Sequence, residues 1–184
     1  MKRDMIFLFV FLFLTNLPGE IKNLIENGGF EKYQEEQMVP EGWVINNGYP
    51  CRVTVMKDDQ LACEGKIFLR IDEDKEKTKG NSGAVYYSKG LKVRKDTEYK
   101  FSVFARGKGK ISLFIYEYND GGFIGSVSSG DIELTPEWKE YSLVYIPGVT
   151  KYSNASVIRI NPAIHIKESA YVDNVSFTEV KKEN

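Results

Sequence analysis

Two short stretches, one near each end of the chain, carry residue types that could bind a hard cation. In Asn23–Glu31, the residues Asn27, Gly28 and Gly29 indicate a turn, because Asn and Gly adopt positive φ at little cost. A tight turn directs its carbonyl oxygens outward, and Glu31 adds a carboxylate just beyond it. Ca²⁺ prefers oxygens of these two kinds. The alternative interpretation is a strand, a turn and a second strand with an exposed Glu31.

The stretch near the other end, Tyr171–Phe177, has the composition of a final strand with one acid, Asp173, in its middle. Together, Asn-Leu-Ile-x-Asn-Gly-Gly-Phe-Glu at the start and Tyr-Val-Asp-Asn-Val-Ser-Phe at the end resemble the carbohydrate-binding modules of the CBM4/9/22 group. These are CenC-like, galactose-binding-domain-like β-sandwiches that occur attached to xylanases and glucanases. The resemblance extends from Asn23 to about Val180.

The resemblance implies one structural Ca²⁺ that joins the two ends of the chain, away from the sugar. The ligands it implies are the carbonyl of Gly29, the carboxylate of Glu31, the carbonyl and carboxylate of Asp173, and a loop group from Asp59, Glu64 or the carbonyl of Lys66. The proposed fold supports this Ca²⁺ site, because a jelly roll brings its first and last strands side by side. Two carboxylates that meet there repel each other unless a cation lies between them. Otherwise the two acids cap turns or pair with lysines.

The rest of the sequence predicts the elements that position these residues. Apolar residues alternate along short segments and no segment has a helical period, which predicts an all-β protein, a two-sheet antiparallel jelly-roll β-sandwich. The predicted strands are Trp43–Ile45, Arg52–Lys57, Lys66–Ile71, Ser82–Ser88, Glu98–Arg106, Lys110–Tyr118, Gly130–Leu134, Trp138–Ile146, Ser156–Ile160 and Ala170–Thr178. Predicted turns between them include Gly107–Gly109, Asn119–Gly122, Pro147-Gly148 and Asn161-Pro162.

Several predicted strands have an apolar inner face and an outer face of aromatic and hydrogen-bonding residues. In Lys110–Tyr118, for example, Ile111, Leu113 and Ile115 alternate with an aromatic set that ends at Tyr118. Exposed aromatic rings require a ligand or a covering loop. Sugars suit such a face, because their C–H faces pack on rings while their hydroxyls bind polar side chains.

The resemblance implies that the sugar lies in a cleft on the concave sheet. By correspondence of strands, the candidate ligand-binding residues are Tyr86 or Tyr87, Tyr116 or Tyr118, Arg159, Asn161 and His165. The chain departs from the family pattern by having no Trp in those strands. Trp43 and Trp138 lie where the family keeps structural aromatics, so we expect them to pack rather than bind.

The start of the chain predicts export. Lys2 and Arg3 precede an apolar run that is too short to span a bilayer, so residues 1–19 are interpreted as a signal peptide and 20–184 as one domain. A retained N-terminal anchor is the alternative. We expect a secreted or cell-surface monomer that is free of the membrane after cleavage. The formal net charge of −1 gives no electrostatic reason to bind nucleic acid.

The sequence gives little indication of an enzyme. It has no Gly-x-Ser-x-Gly motif, and its one His, His165, would have to carry any Ser-His-Asp arrangement. We therefore predict non-catalytic polysaccharide binding. Two alternatives stay open, namely a jelly-roll polysaccharide lyase or hydrolase that uses His165, and a structural or adhesion domain without sugar binding. Cys51 and Cys63 either form a disulfide, as export would allow, or are free thiols.

Overall fold

The structure is a computed structural model, and it describes residues 22–34, 38–45, 51–73, 85–149 and 154–181, without the side chains of 164–168. The predicted signal peptide, residues 1–19, lies outside the described residues. The strands are β1 Tyr33–Gln34, β2 Val39–Pro40, β3 Trp43–Ile45, β4 Cys51–Lys57, β5 Ile67–Glu73, β6 Val85–Tyr87, β7 Leu91–Lys92, β8 Tyr99–Asn119, β9 Gly122–Ser128, β10 Ile132–Glu133, β11 Lys139–Tyr145 and β12 Val157–Glu179. The described ranges contain no helix, and so none with the length and apolarity needed to cross a bilayer.

Two long strands, β8 and β12, pair antiparallel over most of their length and belong to both layers of the fold. The first part of β8 also pairs with β11, while residues 169–172 of β12 pair with β5, which pairs with β4. The second part of β8 pairs with β9 and β10, and the start of β12 pairs with β7. The fold is the predicted all-β, two-sheet antiparallel jelly-roll sandwich.

The two layers are separated by an irregularity at the same level of both long strands. Gly107 and Gly109 have φ of 137° and 143°, and the register of β12 shifts between Ile166 and Ala170, which are their partners. A Cβ on Gly107 would lie 2.4 Å from the carbonyl oxygen of Ser169, so only glycine allows this close approach.

The core lies between the layers and takes every second residue of β8. Phe101 and Val103 from the first part of the strand share one buried cluster with Leu113 and Ile115 from the second part. A polar pair lies inside it, in which the Tyr145 hydroxyl donates to Glu117 Oε1 at 2.8 Å. Burial and this hydrogen bond raise the pKa of Tyr145 well above its ordinary value.

The two ends of the chain lie side by side, as the sequence predicts. Leu24 N donates to Phe177 O at 2.8 Å, and Val175 N donates to Gly28 O at 2.9 Å. Phe30 is fully buried and packs edge-on against Trp43, with ring centroids 4.9 Å apart. The turn at 27–30 is therefore joined to the last strand by backbone hydrogen bonds and to the core by an aromatic pair.

The structure differs from the sequence predictions in local details. The predicted turns Gly107–Gly109 and Asn161-Pro162 lie inside β8 and β12, because pairing between the long strands continues through them. Strand β9 was not predicted, since its glycines and serines give it a weak strand signal. Of the two alternatives for Cys51 and Cys63, the structure does not have the disulfide.

The seam between the chain ends provides a matched pair of substitutions. A Cβ on Gly28 would lie 1.9 Å from the carbonyl oxygen of Val175, whereas one on Gly29 would have nothing within 4 Å. We predict that Gly28→Ala lowers the free energy of unfolding by about 1–3 kcal/mol or more, as overpacking does. Gly29→Ala should change it by less than about 0.5 kcal/mol. Urea denaturation measures both, and equal losses would contradict the described seam.

Candidate functional site

The outer side of the second part of β8 carries a column of three aromatic rings. Phe114 and Tyr116 lie nearly parallel, with centroids 6.0 Å apart and an interplanar angle of 10°. Tyr118 follows, and Phe123 from β9 packs edge-on against it at 5.6 Å. Phe123 is 59% exposed, so the aromatic column opens to solvent. The strand alternation explains the column, because residues 114, 116 and 118 share one face.

Polar residues flank the aromatic column on both neighbouring strands. Arg159 and Asn161 of β12 lie opposite Tyr116 and Phe114 in the register, and serines of β9 lie opposite the same rings on the other side. The guanidinium carbon of Arg159 lies 5.2 Å from the centroid of Tyr118. We call this surface, formed by residues 114, 116, 118, 123, 159 and 161, the aromatic face.

One polar atom on the aromatic face has no hydrogen-bond partner among the described residues. Asn161 Oδ1 is buried and makes no hydrogen bond. A buried acceptor without a partner is costly, so turning the Asn161 amide outward to accept from a ligand hydroxyl would relieve an existing cost.

The structure brings together four of the predicted sugar-binding residues, namely Tyr116, Tyr118, Arg159 and Asn161. Tyr87 is instead buried in the core, where its hydroxyl accepts a hydrogen bond from Glu26 N at 3.2 Å, so its ring cannot reach a ligand. Of that pair only the half-buried Tyr86 stays a candidate, on the opposite face of β6. The side chain of His165 lies outside the described residues.

Phe114 and Phe123 belong to the aromatic face but were not among the predicted site residues. The alternation along β8 was a sufficient signal for Phe114, since it precedes Tyr116 by two positions. Phe123 had no comparable signal, because only the pairing of β9 with β8 brings it opposite Tyr118.

A second cluster lies at the seam of the chain ends, where two acids accept backbone amides from the loop at 58–66. Glu31 Oε1 accepts from Lys66 N at 2.7 Å and from Ile67 N at 2.9 Å. Asp173 Oδ2 accepts from Cys63 N at 2.9 Å and from Glu64 N at 3.1 Å. The loop that contains Asp59, Glu64 and Lys66 thus donates backbone amides to both acids.

Asp173 is fully buried, and burial raises the pKa of its carboxyl to about 6 despite three amide donors. The charge of Glu31 contributes to this raised pKa of Asp173, so the two carboxylates are close enough to repel. The neighbours Phe30 and Asn174 have φ of 61° and 46°. Positive φ at non-glycine residues concentrates at functional sites, because the surrounding structure must hold it.

The other predicted metal ligands lie at the same seam. Glu64 Oε2 accepts from Asn174 Nδ2 at 2.7 Å, and the Lys66 carbonyl accepts from Asp58 N at 2.8 Å. Gly29 lies in the turn that precedes Glu31. Within the described ranges, no group of three or more His, Cys, Asp or Glu residues is arranged to hold a metal ion. Any site here would combine two carboxylates with backbone carbonyls.

Comparison with known proteins decides the family. A family of carbohydrate-binding domains matches residues 22–163, which is most of the chain. The chain belongs to this carbohydrate-binding domain family. No match is found among curated protein sequences.

Solved structures share the fold of this carbohydrate-binding domain at low identity. The CBM22-1 xylan-binding domain of Paenibacillus barcinonensis Xyn10C is 16% identical with a TM-score of 0.56, covering 89% of this chain and 97% of that one. TmCBM61, solved with β-1,4-galactotriose, is 15% identical with a TM-score of 0.56, covering 86% and 99%. A cyclase from Fischerella sp. TAU is 15% identical with a TM-score of 0.61, covering 87% and 97%.

The buried Asp173 makes a prediction about pH. In the metal-free protein its pKa is about 6 against an ordinary value of 3.8, so between these values the folded state binds more protons than the unfolded chain. The contribution of Asp173 to the free energy of unfolding therefore falls as pH rises from about 4 to about 6. Urea denaturation with chelator should show that Asp173→Asn flattens this part of the pH profile. Parallel profiles for the two proteins would contradict the shift.

Proposed function

We propose that this protein is a non-catalytic carbohydrate-binding module that holds a polysaccharide or oligosaccharide on the aromatic face. The observation that carries the proposal is the pair of near-parallel rings of Phe114 and Tyr116, flanked by Arg159 and Asn161. Family membership supports a sugar as the ligand, and the similar solved structures include a xylan-binding domain and a domain in complex with β-1,4-galactotriose.

In this proposal the rings and the polar residues have different tasks. The C–H faces of one or two sugar units pack on Phe114 and Tyr116, which gives most of the affinity through apolar contact. Asn161 and Arg159 receive the hydroxyls, because an amide and a guanidinium offer hydrogen bonds of fixed direction. The neighbouring serines on β9 add donors and acceptors on the other side of the rings.

Two other functions are compatible with the fold. A sandwich of this kind serves as a cyclase in Fischerella, so the fold alone does not exclude chemistry. The lyase or hydrolase alternative depends on His165, and a structural or adhesion role depends on the aromatic face being covered. We favour binding because the exposed Phe123 borders an open face.

We also propose a structural Ca²⁺ at the seam of the chain ends. Support comes from the buried Asp173 carboxylate, whose pKa is raised by burial and by Glu31, because a cation between the two acids would remove their repulsion. The groups that would hold it are the carboxylates of Glu31 and Asp173 and backbone carbonyls of Gly29, Lys66 and Asp173, with Glu64 at the rim. When bound, Ca²⁺ would supply positive charge that fixes the loop at 58–66.

Export completes the proposal. We propose that the protein acts as a monomer outside the cell or at its surface, where polysaccharides are accessible. Support comes from the apolar segment that begins the sequence.

Sugar binding is tested by removing one ring. We predict that Tyr116→Ala weakens binding to a polysaccharide that the unaltered protein binds by about 1–3 kcal/mol, because the stacking surface is lost. Tyr116→Phe keeps the ring and should retain binding. Affinity gel electrophoresis over a panel that includes xylan and galactan measures both, with unfolding curves as the stability control. The proposed face is wrong if Tyr116→Ala leaves retention unchanged on every polymer that binds.

The metal is tested through stability. At free Ca²⁺ near 100 times its Kd, binding to the folded state alone should raise the melting temperature by about 5–10 °C, and chelator should reverse the rise. Asp173→Ala should abolish this response, whereas Asp131→Ala, an acid away from the seam, should keep it. A melting temperature that ignores Ca²⁺ after metal-free refolding would contradict the proposal.

A further inference from the structure

Arg159 differs from three of the four other described arginines in what surrounds its charge. Arg70 and Arg94 pair with carboxylates, those of Asp72 and Glu179. Arg106 lies between the rings of Trp138 and Tyr171 and donates to a loop carbonyl. Arg159 is exposed, lies over one ring of the aromatic face, and has no carboxylate within 4.0 Å among the described residues.

The aromatic face itself offers no negative charge to Arg159. Apart from Arg159, the described residues that form or border it are aromatic rings, serines and Asn161, all neutral. Asp131 and Glu133 lie further along the sheet, where each is near the amine of Lys110, at 3.9 and 3.8 Å. A cation without a counter-ion beside a stacking surface is the arrangement that recognises an anionic group on the stacked ligand.

We propose that the aromatic face selects a sugar that carries a carboxylate, a uronic acid unit, with Arg159 as the residue that binds the carboxylate. This inference rests on the proposed function, because it assumes that the ligand stacks on Phe114 and Tyr116. Arg159 lies opposite Tyr116 in the register, so its guanidinium borders the ring on which a sugar would pack. A planar guanidinium matches the two oxygens of a carboxylate with parallel hydrogen bonds.

The geometry also assigns a different role to Tyr118. The Arg159 guanidinium lies over its ring, and Phe123 packs edge-on against it. Tyr118 is therefore a positioning residue that holds Arg159 by a cation–π contact, and Tyr116 is the stacking residue. The two tyrosines, which the sequence left as alternatives, thus have separate tasks.

The test uses polymers that differ only in charge. The protein is measured by affinity electrophoresis and calorimetry against polygalacturonate and its methyl ester, and against glucuronoxylan before and after carboxyl reduction. Within at least one pair, the acidic polymer should bind about tenfold tighter or more, and added salt should reduce the difference. Dextran sulfate, which carries many sulfates and no carboxylate, reports non-specific attraction.

Variants assign the difference to one side chain. Arg159→Gln should weaken binding of the acidic polymer about tenfold more than binding of its neutral partner, and Arg159→Lys should restore only part of the preference because Lys lacks the planar fork. Arg52→Gln removes the same charge from β4 in the other layer and should change nothing. Tyr118→Leu should reduce the affinity for the acidic polymer more than the affinity for its neutral partner.

The possible outcomes are distinguishable. The inference is supported by an acidic preference that depends on Arg159 and not on Arg52. It is overturned if acidic and neutral polymers bind equally, or if dextran sulfate binds as tightly as the uronic acid polymers; Tyr116-dependent binding of neutral polymers would then leave the proposed function standing. If no polymer binds in a Tyr116-dependent manner, both the inference and the proposed function fail.

Discussion

The pairing of β8 with β12 is the constraint on which the rest of the structure depends. The two strands run antiparallel over most of their length, so every second residue of each enters the core and the others face outward. In one layer the outward positions carry the aromatic face, and in the other layer they carry Asp173. A one-residue slip in this register would bury Arg159 and expose Ile160, so the pairing determines both sites at once.

The second irregularity of β12 explains how an acid within a strand comes to face a loop. The register shifts between Asp173 and Ser176, and Asn174 adopts a positive φ there. Such a bulge redirects a side chain without ending the strand. The Asp173 carboxylate consequently receives amides from the loop at 58–66, while Val172 and Val175 stay in the core. The seam thus joins three distant parts of the chain through one buried acid.

The aromatic face and the seam also separate binding from stability. The rings of Phe114 and Tyr116 are half-buried on the outside of the sandwich, whereas the pair Phe30 and Trp43 belongs to the core. Truncating an outer ring removes contact area for a ligand but leaves the packing between the layers intact. Truncating an inner one would open a cavity. Trp43 follows the second pattern, whereas Trp138 is half-buried outside the core cluster and packs edge-on against Phe68.

By itself the sequence determined the all-β class, the inner faces of the strands, and the identity of the two end motifs, because these depend on alternation and turn chemistry within a few residues. It also named Tyr116, Arg159, Asn161, Glu31 and Asp173, although their roles remain predictions. Only the tertiary structure decided that Gly107–Gly109 continues a strand, that Tyr87 is buried while Phe123 is exposed, and that no disulfide joins the cysteines. The physical reason is that local pattern gives the face of a residue, whereas pairing between distant strands decides whether that face is covered and which charges meet on it.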